Sequence, residues 1–460
     1  MKNNILLNVD SYKVGMWDFY PQGTTNVFSY IESRGGKKDK TLFFGLQAFI
    51  KEYLTEPLTL DDVNDAIKIW KAHGLNVNEE NLRNLVLKHN GFLPIRIRAA
   101  KEGLLIPTHN VLVTIEATDP EFYWLTTWLE TALLRAVWYP TTVATNSKSI
   151  KTLIEKYAKL TGANLDGVAF KLHDFGARGA QSNESAGLGA AAHLVNFMGT
   201  DTIAGVVAAM KYYNSDVCGF SIPATEHSIS TSFGRENEAD YVRNIIRAMK
   251  DFNIFATVGD TYNIWNFVDM LGTELKEEII ELGRQGKTLV VRPDSGNPVE
   301  VPIEVIERLA DHFGASRNEK GYKELPPYIR VIQGDGIEEK TIEEILDRLK
   351  TKGFSSDNIA FGMGGKLLGS PQRDDQKFAM KASAIEIDGV WKAIKKDPIT
   401  DQGKKSKAGR LTLIKENDEY ETILEKDLND RKEELEVVFE NGKLLRDMTF
   451  EEVRANANAV

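Results

Sequence analysis

Between residues of about 165 and 375 short apolar runs alternate with helical stretches, and each run ends in polar or glycine-rich residues. The series reads FKLHDFGARG, the Gly-Thr-Asp201-Thr turn, FSIPATEHS, FATVGDTYN, LVVRPDSGNP, YIRVIQGDG and NIAFGMGG. The markers His173, Asp201, His227, Asp260, Asp294, Asp335 and Gly364 fall between 26 and 41 residues apart. A strand–crossover–strand unit needs about 30 residues or more. Helical periodicity fills the gaps: Ile303, Ile306, Ala310 and Phe313 share one face, as do Ile342, Ile345, Leu346 and Leu349, the latter closed by Gly353. Seven such units predict an α/β fold, a (β/α) barrel whose polar strand ends gather on one face. The structural alternative is a doubly wound open sheet. It should carry a glycine fingerprint after a strand, and neither GxGxxG nor GxxxxGK[ST] is present there.

The flanking regions have a different pattern. A strand is predicted at 27–31, short helices at 42–54, 61–73 and 79–88, and a small antiparallel sheet over 93–117. A largely buried helix is predicted at 122–138 and a second from about Thr142 to Leu160. Beyond about 376 the chain turns β-rich, with hairpin signals at Asp388-Gly389 and Asn441-Gly442, and a short helix from Thr449 to Ala457. The expected organisation is a discontinuous β-rich domain from 1–160 and 376–460 beside an α/β barrel from 161–375.

Composition narrows the function. A net charge of −10 argues against a general nucleic-acid or anionic-membrane binder, so any phosphate site must be local. The single cysteine, Cys218, excludes an intramolecular disulfide and is expected to be a small buried residue. The first residues have only a three-residue apolar run, far too short for a signal sequence, and a cytoplasmic protein is expected.

The strand-end face collects Arg178, Arg292 and Arg373, the acids Asp201, Asp260, Asp294 and Asp335, His173 and His227, and glycine turns at Gly334 and Gly364-Gly365. Arginine forks and exposed backbone N–H groups suit phosphate oxygens, and nearby acids suit Mg²⁺ or sugar hydroxyls. The set predicts a site for a phosphorylated sugar; a ring of ordinary ion pairs is the competing reading. Residues 392–410 carry seven Lys/Arg against Asp397 and Asp401, either a solvated hairpin loop or a cationic flap over a polyphosphate. His173 and His227 lack metal-ligand spacing, and no GxSxG elbow is present.

Taken together, DSYKVGMWDFYP, DPEFYWLTTWLET, KLHDFGARG, AHLVNFMGTDT, PATEHS, RPDSGNP, LPPYIRVIQGDG, IAFGMGG, KDP and GRL make the chain resemble the nicotinamide phosphoribosyltransferase family over nearly its whole length. The resemblance implies a type II phosphoribosyltransferase with an irregular α/β barrel and a β-rich domain. It implies transfer of phosphoribosyl from phosphoribosyl pyrophosphate to nicotinamide with Mg²⁺, whose protein ligands it leaves unknown. It also implies a cytoplasmic homodimer with the active site at the subunit interface. By matching motif, Phe175 and the partner copy's residue at Tyr12 would stack on the two faces of the ring. Asp201 would accept from the carboxamide. Arg178, His227 and Arg292 would hold the diphosphate. Arg292, Asp294, Gly334 and Asp335 would bind the ribose part. Gly364 and Gly365, with Arg373 nearby, would receive the 5′-phosphate. His227, oriented by Glu226 and Asp260, would be phosphorylated when ATP hydrolysis is coupled. Arg34, Lys396 and Lys404 would contact phosphate from the second subunit.

The chain departs from the family pattern at Ala177, Ala256, Met363 and Phe197-Met198-Gly199. Three other functions remain as alternatives: a nicotinate-specific phosphoribosyltransferase, opposed by Asp201; an aldolase-like barrel, for which Lys171 is the nearest lysine to a strand end; and a nucleotide-sensing protein without turnover.

Overall fold

The computed structural model describes residues 4–459. The chain forms two compact units, one of Met1–Thr145, Ala208–Asp216 and Pro371–Val460, the other of Asn146–Val207 and Val217–Ser370.

The second unit is a parallel sheet with helices between successive strands. Six strands stand in the order Gly199–Thr200, Leu172–Asp174, Ile359–Met363, Ile329–Gln333, Thr288–Arg292 and Ile254–Val258. Every neighbouring pair is parallel. Residues 220–224 bridge both edges: Phe220 pairs with Gly199 and Ala224 with Ala256, each in parallel. The sheet therefore curls through seven runs in chain order, as the seven apolar runs predict. The 220–224 run carries bridges rather than a full ladder because Pro223 has no N–H to donate; its carbonyl accepts from Ala256 N at 2.9 Å. Inside the curl, Ala256, Val290 and Ile332 form an apolar cluster against Phe175, Ile222 and Ala360. The crossover helices Glu300–Phe313 and Glu339–Thr351 bury Ile303, Ile306 and Leu309, and Ile342, Ile345, Leu346 and Leu349.

The first unit is built on a seven-stranded antiparallel sheet that joins both ends of the chain. Thr24–Ser33 pairs with Phe378–Ile387, and Ile95–Ala99 with Glu436–Glu440. Both predicted hairpins form. Their turn residues lie at positive φ, 49° and 75° at Asp388-Gly389 and 49° and 87° at Asn441-Gly442, as a tight two-residue turn requires. Cys218 is buried.

Two expectations fail. The helix expected at 122–138 begins as a short separate helix, Leu125–Trp128, and its second half joins the helix expected from Thr142 in one 32-residue helix, Glu130–Thr161, with Pro140 inside it. Pro140 cannot donate to the preceding turn; beside it the Thr142 hydroxyl donates to Trp138 O and the Thr145 hydroxyl to Thr141 O, both at 2.6 Å. Secondly, Ala208–Asp216 groups with the β-rich unit rather than with the barrel. Tyr213 explains this: its ring stacks on Phe44 at 4.9 Å and its hydroxyl donates to the buried Glu102 at 2.7 Å.

Candidate functional site

In the 288–292 strand, Leu289, Val290 and Val291 are buried, and the chain then presents Arg292 and Asp294 at the strand's C-terminal end. Asp294 lies two residues beyond the last strand residue, and Arg292 Nε is 3.9 Å from Asp294 Oδ1. That separation is too long for a hydrogen bond. Arg292 Nε is buried and has no hydrogen-bond partner. A buried guanidinium donor left open costs free energy unless something occupies it, so the end of this strand is shaped for an anion or a polar ligand.

The neighbouring strand end carries Asp260, which accepts from two directions. Its Oδ1 lies 2.9 Å from Nε2 of His227, and its Oδ2 accepts from the Ser295 hydroxyl. His227 opens the helix His227–Phe233 and its side chain is 44% exposed, whereas Asp260's is 5% exposed. Asp260 thus fixes the imidazole by one nitrogen and leaves the other facing outward. Glu226 does not share this work: it is exposed, and its carboxylate accepts from Ser228. Of the two acids expected to orient the imidazole, Asp260 is the one hydrogen-bonded to it among the described residues.

Phe175 begins the loop after Leu172–Asp174, with its N–H donating to Met363 O at 2.9 Å. Its ring lies so close to Gly362 that a Cβ there would meet the ring at 2.0 Å, and it also borders Gly334, beside Asp294 Oδ1. Only glycine at 362 lets the ring lie across the strand end. Arg178 is exposed on the following turn, Ala177–Gly179. That turn packs backbone to backbone on the next loop: a Cβ on Gly179 would meet Gly365 Cα at 2.7 Å. Gly364 and Gly365 open the short helix Gly365–Leu368. Asp335 is exposed in the turn after Ile329–Gln333, with its carbonyl held by Gln333.

Asp201 follows the shortest strand, and its N–H donates to Asp174 O at 2.9 Å. Ser221 donates to Asp201 Oδ1 at 2.5 Å, which leaves the second carboxylate oxygen for a ligand. Burial holds the pKa of His173 below its ordinary value, with Asp201 opposing. Ser221, Ser295 and Asp174 were not singled out by sequence reasoning. Ser295 sits within RPDSGNP and Asp174 is a charge inside the run FKLHDFG, and each position carried that signal.

Lys171 lies at the opposite end of its strand. It is half-buried and bonded to Asp357, at 3.0 Å to Oδ1 and 2.9 Å to its carbonyl. Burial lowers its pKa while Asp357 counteracts. Its distance in sequence from the strand's C-terminal end removes the support for an aldolase-like lysine.

Four expected site residues, and Arg373, belong to the β-rich unit. Tyr12 is 64% exposed on the turn Ser11–Lys13, beneath the Lys13 ammonium 5.1 Å from its ring centroid. Arg34 is bonded to Glu32 at 3.2 Å, and its buried Nη2 has no partner. Lys404 pairs with Asp401, while Lys396 is exposed on a loop pinned by mutual bonds with Ser406. Arg373 is exposed and bonded to Asp374. Among the described residues no three His, Cys, Asp or Glu converge as a metal site, and no helix is long and apolar enough to cross a membrane.

Comparison with known proteins adds to this geometry. The sequence model of the nicotinate phosphoribosyltransferase (NAPRTase) family matches residues 170–443, and that of the nicotinamide phosphoribosyltransferase N-terminal domain matches residues 4–97. The chain is 49% identical to nicotinamide phosphoribosyltransferase of Xanthomonas campestris pv. campestris over 99% of this chain and 98% of the relative. It is 32% identical to nicotinamide phosphoribosyltransferase of Acinetobacter baylyi over 98% and 96%. Among solved structures, nicotinate-nucleotide pyrophosphorylase from Pyrococcus furiosus superposes with a TM-score of 0.63 at 15% identity, covering 100% of this chain and 96% of that one. Human nicotinic acid phosphoribosyltransferase does so with a TM-score of 0.53 at 18% identity, covering 98% and 92%. These two likenesses are of fold.

Proposed function

The chain belongs to the nicotinate phosphoribosyltransferase family and is a phosphoribosyltransferase, and we propose that it transfers phosphoribosyl from phosphoribosyl pyrophosphate to nicotinamide, giving nicotinamide mononucleotide and pyrophosphate in NAD salvage. The observation that carries the choice of base is Asp201, a carboxylate with one oxygen held by Ser221 and the other open. An amide N–H₂ donates to it, whereas nicotinate would bring a second carboxylate against it.

The nucleophile is the ring nitrogen, which bears no proton in nicotinamide, so no general base is required. Rate then comes from aligning the ring with C1 of the ribose and from stabilising the departing pyrophosphate. Phe175 supplies one face for the ring. Arg292 offers its open Nε to the diphosphate, with Arg178 and His227 as further cations, while Asp294 and Asp335 face the ribose, where positive charge develops as C1 loses its leaving group. Gly364 and Gly365 present N–H groups to the 5′-phosphate. Mg²⁺ bound with the diphosphate would supply charge neutralisation to the leaving group, and Asp294 and Asp335 are the carboxylates nearest to hold it; among the described residues no three acids or histidines converge as a metal site.

ATP coupling rests on His227. With Nε2 bonded to Asp260, Nδ1 is the nitrogen that would attack the γ-phosphorus of ATP, forming the N–P bond as the bond to ADP breaks. Water later takes the phosphoryl group to give phosphate. Tyr12, Arg34, Lys396 and Lys404 would complete the site from a second copy of the chain in a homodimer. The exposure of Tyr12 supports that reading. The test is a turnover assay with phosphoribosyl pyrophosphate and Mg²⁺, nicotinamide and nicotinate supplied separately, with and without ATP. Nicotinamide mononucleotide should form, more so with ATP; preference for nicotinate would overturn the choice of base.

A further inference from the structure

We infer that Asp174 is a positioning residue for base recognition, bracing the ring-stacking turn and the amide-reading turn against one another. This inference rests on the proposed roles of Phe175 and Asp201. Asp174 is completely buried and has no ion-pair partner among the described residues. A buried carboxylate without a counter-ion is costly and persists only when hydrogen-bonded. Both of its oxygens are used, each on a different turn. Oδ1 accepts from Gly176 N–H at 2.7 Å, in the turn that carries Phe175. Oδ2 accepts from the Thr200 hydroxyl at 3.0 Å, in the residue before Asp201. Its main-chain carbonyl accepts from Asp201 N–H at 2.9 Å.

The direction of the second bond is fixed. Thr202 N–H donates to Thr200 Oγ1 at 2.9 Å, so the Thr200 proton is free to point at Asp174. The acceptor at 174 must therefore accept on both oxygens. An amide at that position would set an N–H₂ against one of two donors. The other titratable groups that feel Asp174 are His173 and His193, both kept uncharged at neutral pH by burial. The carboxylate is accordingly held by neutral donors. Neither the phosphate-facing glycines nor Arg292 is bonded to it, so its effect should fall on the base and not on the sugar phosphate.

The test uses the full-length enzyme with Thr200→Val, Thr200→Ser and Asp174→Asn. Thr200→Val removes one brace at nearly constant volume, and Thr200→Ser restores the hydroxyl. A turn loosened enough to lose the single hydrogen bond between Asp201 and the base would forfeit about tenfold in affinity. Thr200→Val should therefore raise the KM for nicotinamide about tenfold and lower the nicotinamide-to-nicotinate ratio of kcat/KM. The KM for phosphoribosyl pyrophosphate should stay within about twofold. Thr200→Ser should behave as the unmodified enzyme, and Asp174→Asn, if it folds, should follow Thr200→Val. A Thr200→Val enzyme with unchanged nicotinamide KM, or one with both KM values raised alike, would overturn the inference. An unmodified enzyme that transfers nothing to nicotinamide would instead overturn the functional reading beneath it.

Discussion

Asp201→Asn is the substitution whose outcome follows most directly from the site. Ser221 already donates to Asp201 Oδ1 at 2.5 Å, so an asparagine can keep that bond through its carbonyl and turn its N–H₂ toward the base. Nicotinamide then loses a charge-assisted hydrogen bond, about 1.5–3 kcal/mol. Nicotinate loses a like-charge repulsion, about 4 kcal/mol for charges ~4 Å apart at an effective dielectric of ~20. Asp201 is exposed in the unliganded site, and screening reduces the repulsion to about half of that. The two changes together amount to about 3.5–5 kcal/mol, or a fall of roughly 400- to 5,000-fold in the ratio of kcat/KM for nicotinamide over nicotinate. The assay is initial-rate kinetics with each base at saturating phosphoribosyl pyrophosphate and Mg²⁺. A ratio unchanged within about threefold would refute the reasoning.

Other outcomes follow from the same geometry. Arg292→Lys keeps a charge but loses the planar fork and the open Nε, and kcat should fall about 10²-fold, read as pyrophosphate release. Asp260→Asn removes the carboxylate that holds His227, so ATP should no longer raise the yield and no acid-labile phosphoryl-enzyme should form; undiminished stimulation by ATP would contradict the role. His193 is buried between the Ser147 hydroxyl and the Gly199 carbonyl, and burial lowers its pKa to about 4. The unfolded chain binds this proton first, so the stabilisation, about 3 kcal/mol, is fully present above pH ~6.5 and lost as pH falls toward ~4. The decline in melting temperature over that window should be shallower in His193→Gln. Lys171→Met should destabilise the barrel by about 1–3 kcal/mol, since Asp357 keeps only the longer pair with Arg330 at 3.9 Å, and borohydride should trap no substrate on the intact enzyme.

Much of the barrel was legible because its strands are buried on both sides and read as continuous apolar runs that stop at a charge. The two hairpins were legible because Asp-Gly and Asn-Gly tolerate positive φ at both positions. Local pattern could not reveal that Pro140 lies inside one continuous helix. Nor could it reveal that Tyr213 binds the end of its helix to Glu102, 111 residues away. In the site, Arg292 and Asp294 announced themselves as a charge pair at the end of an apolar run. Ser221, Ser295 and Thr200 did not, because a serine or threonine in a turn satisfies local backbone rules as readily as it serves a carboxylate. Asp174 was visible as a charge in a buried run, but its two partners lie in separate turns that only the folded sheet brings together.

The most direct test of the account is a single-turnover measurement with the purified protein, labelled phosphoribosyl pyrophosphate, Mg²⁺ and nicotinamide. The account predicts equal appearance of nicotinamide mononucleotide and pyrophosphate, with much slower turnover when nicotinate replaces nicotinamide. Absence of pyrophosphate release with either base would contradict it.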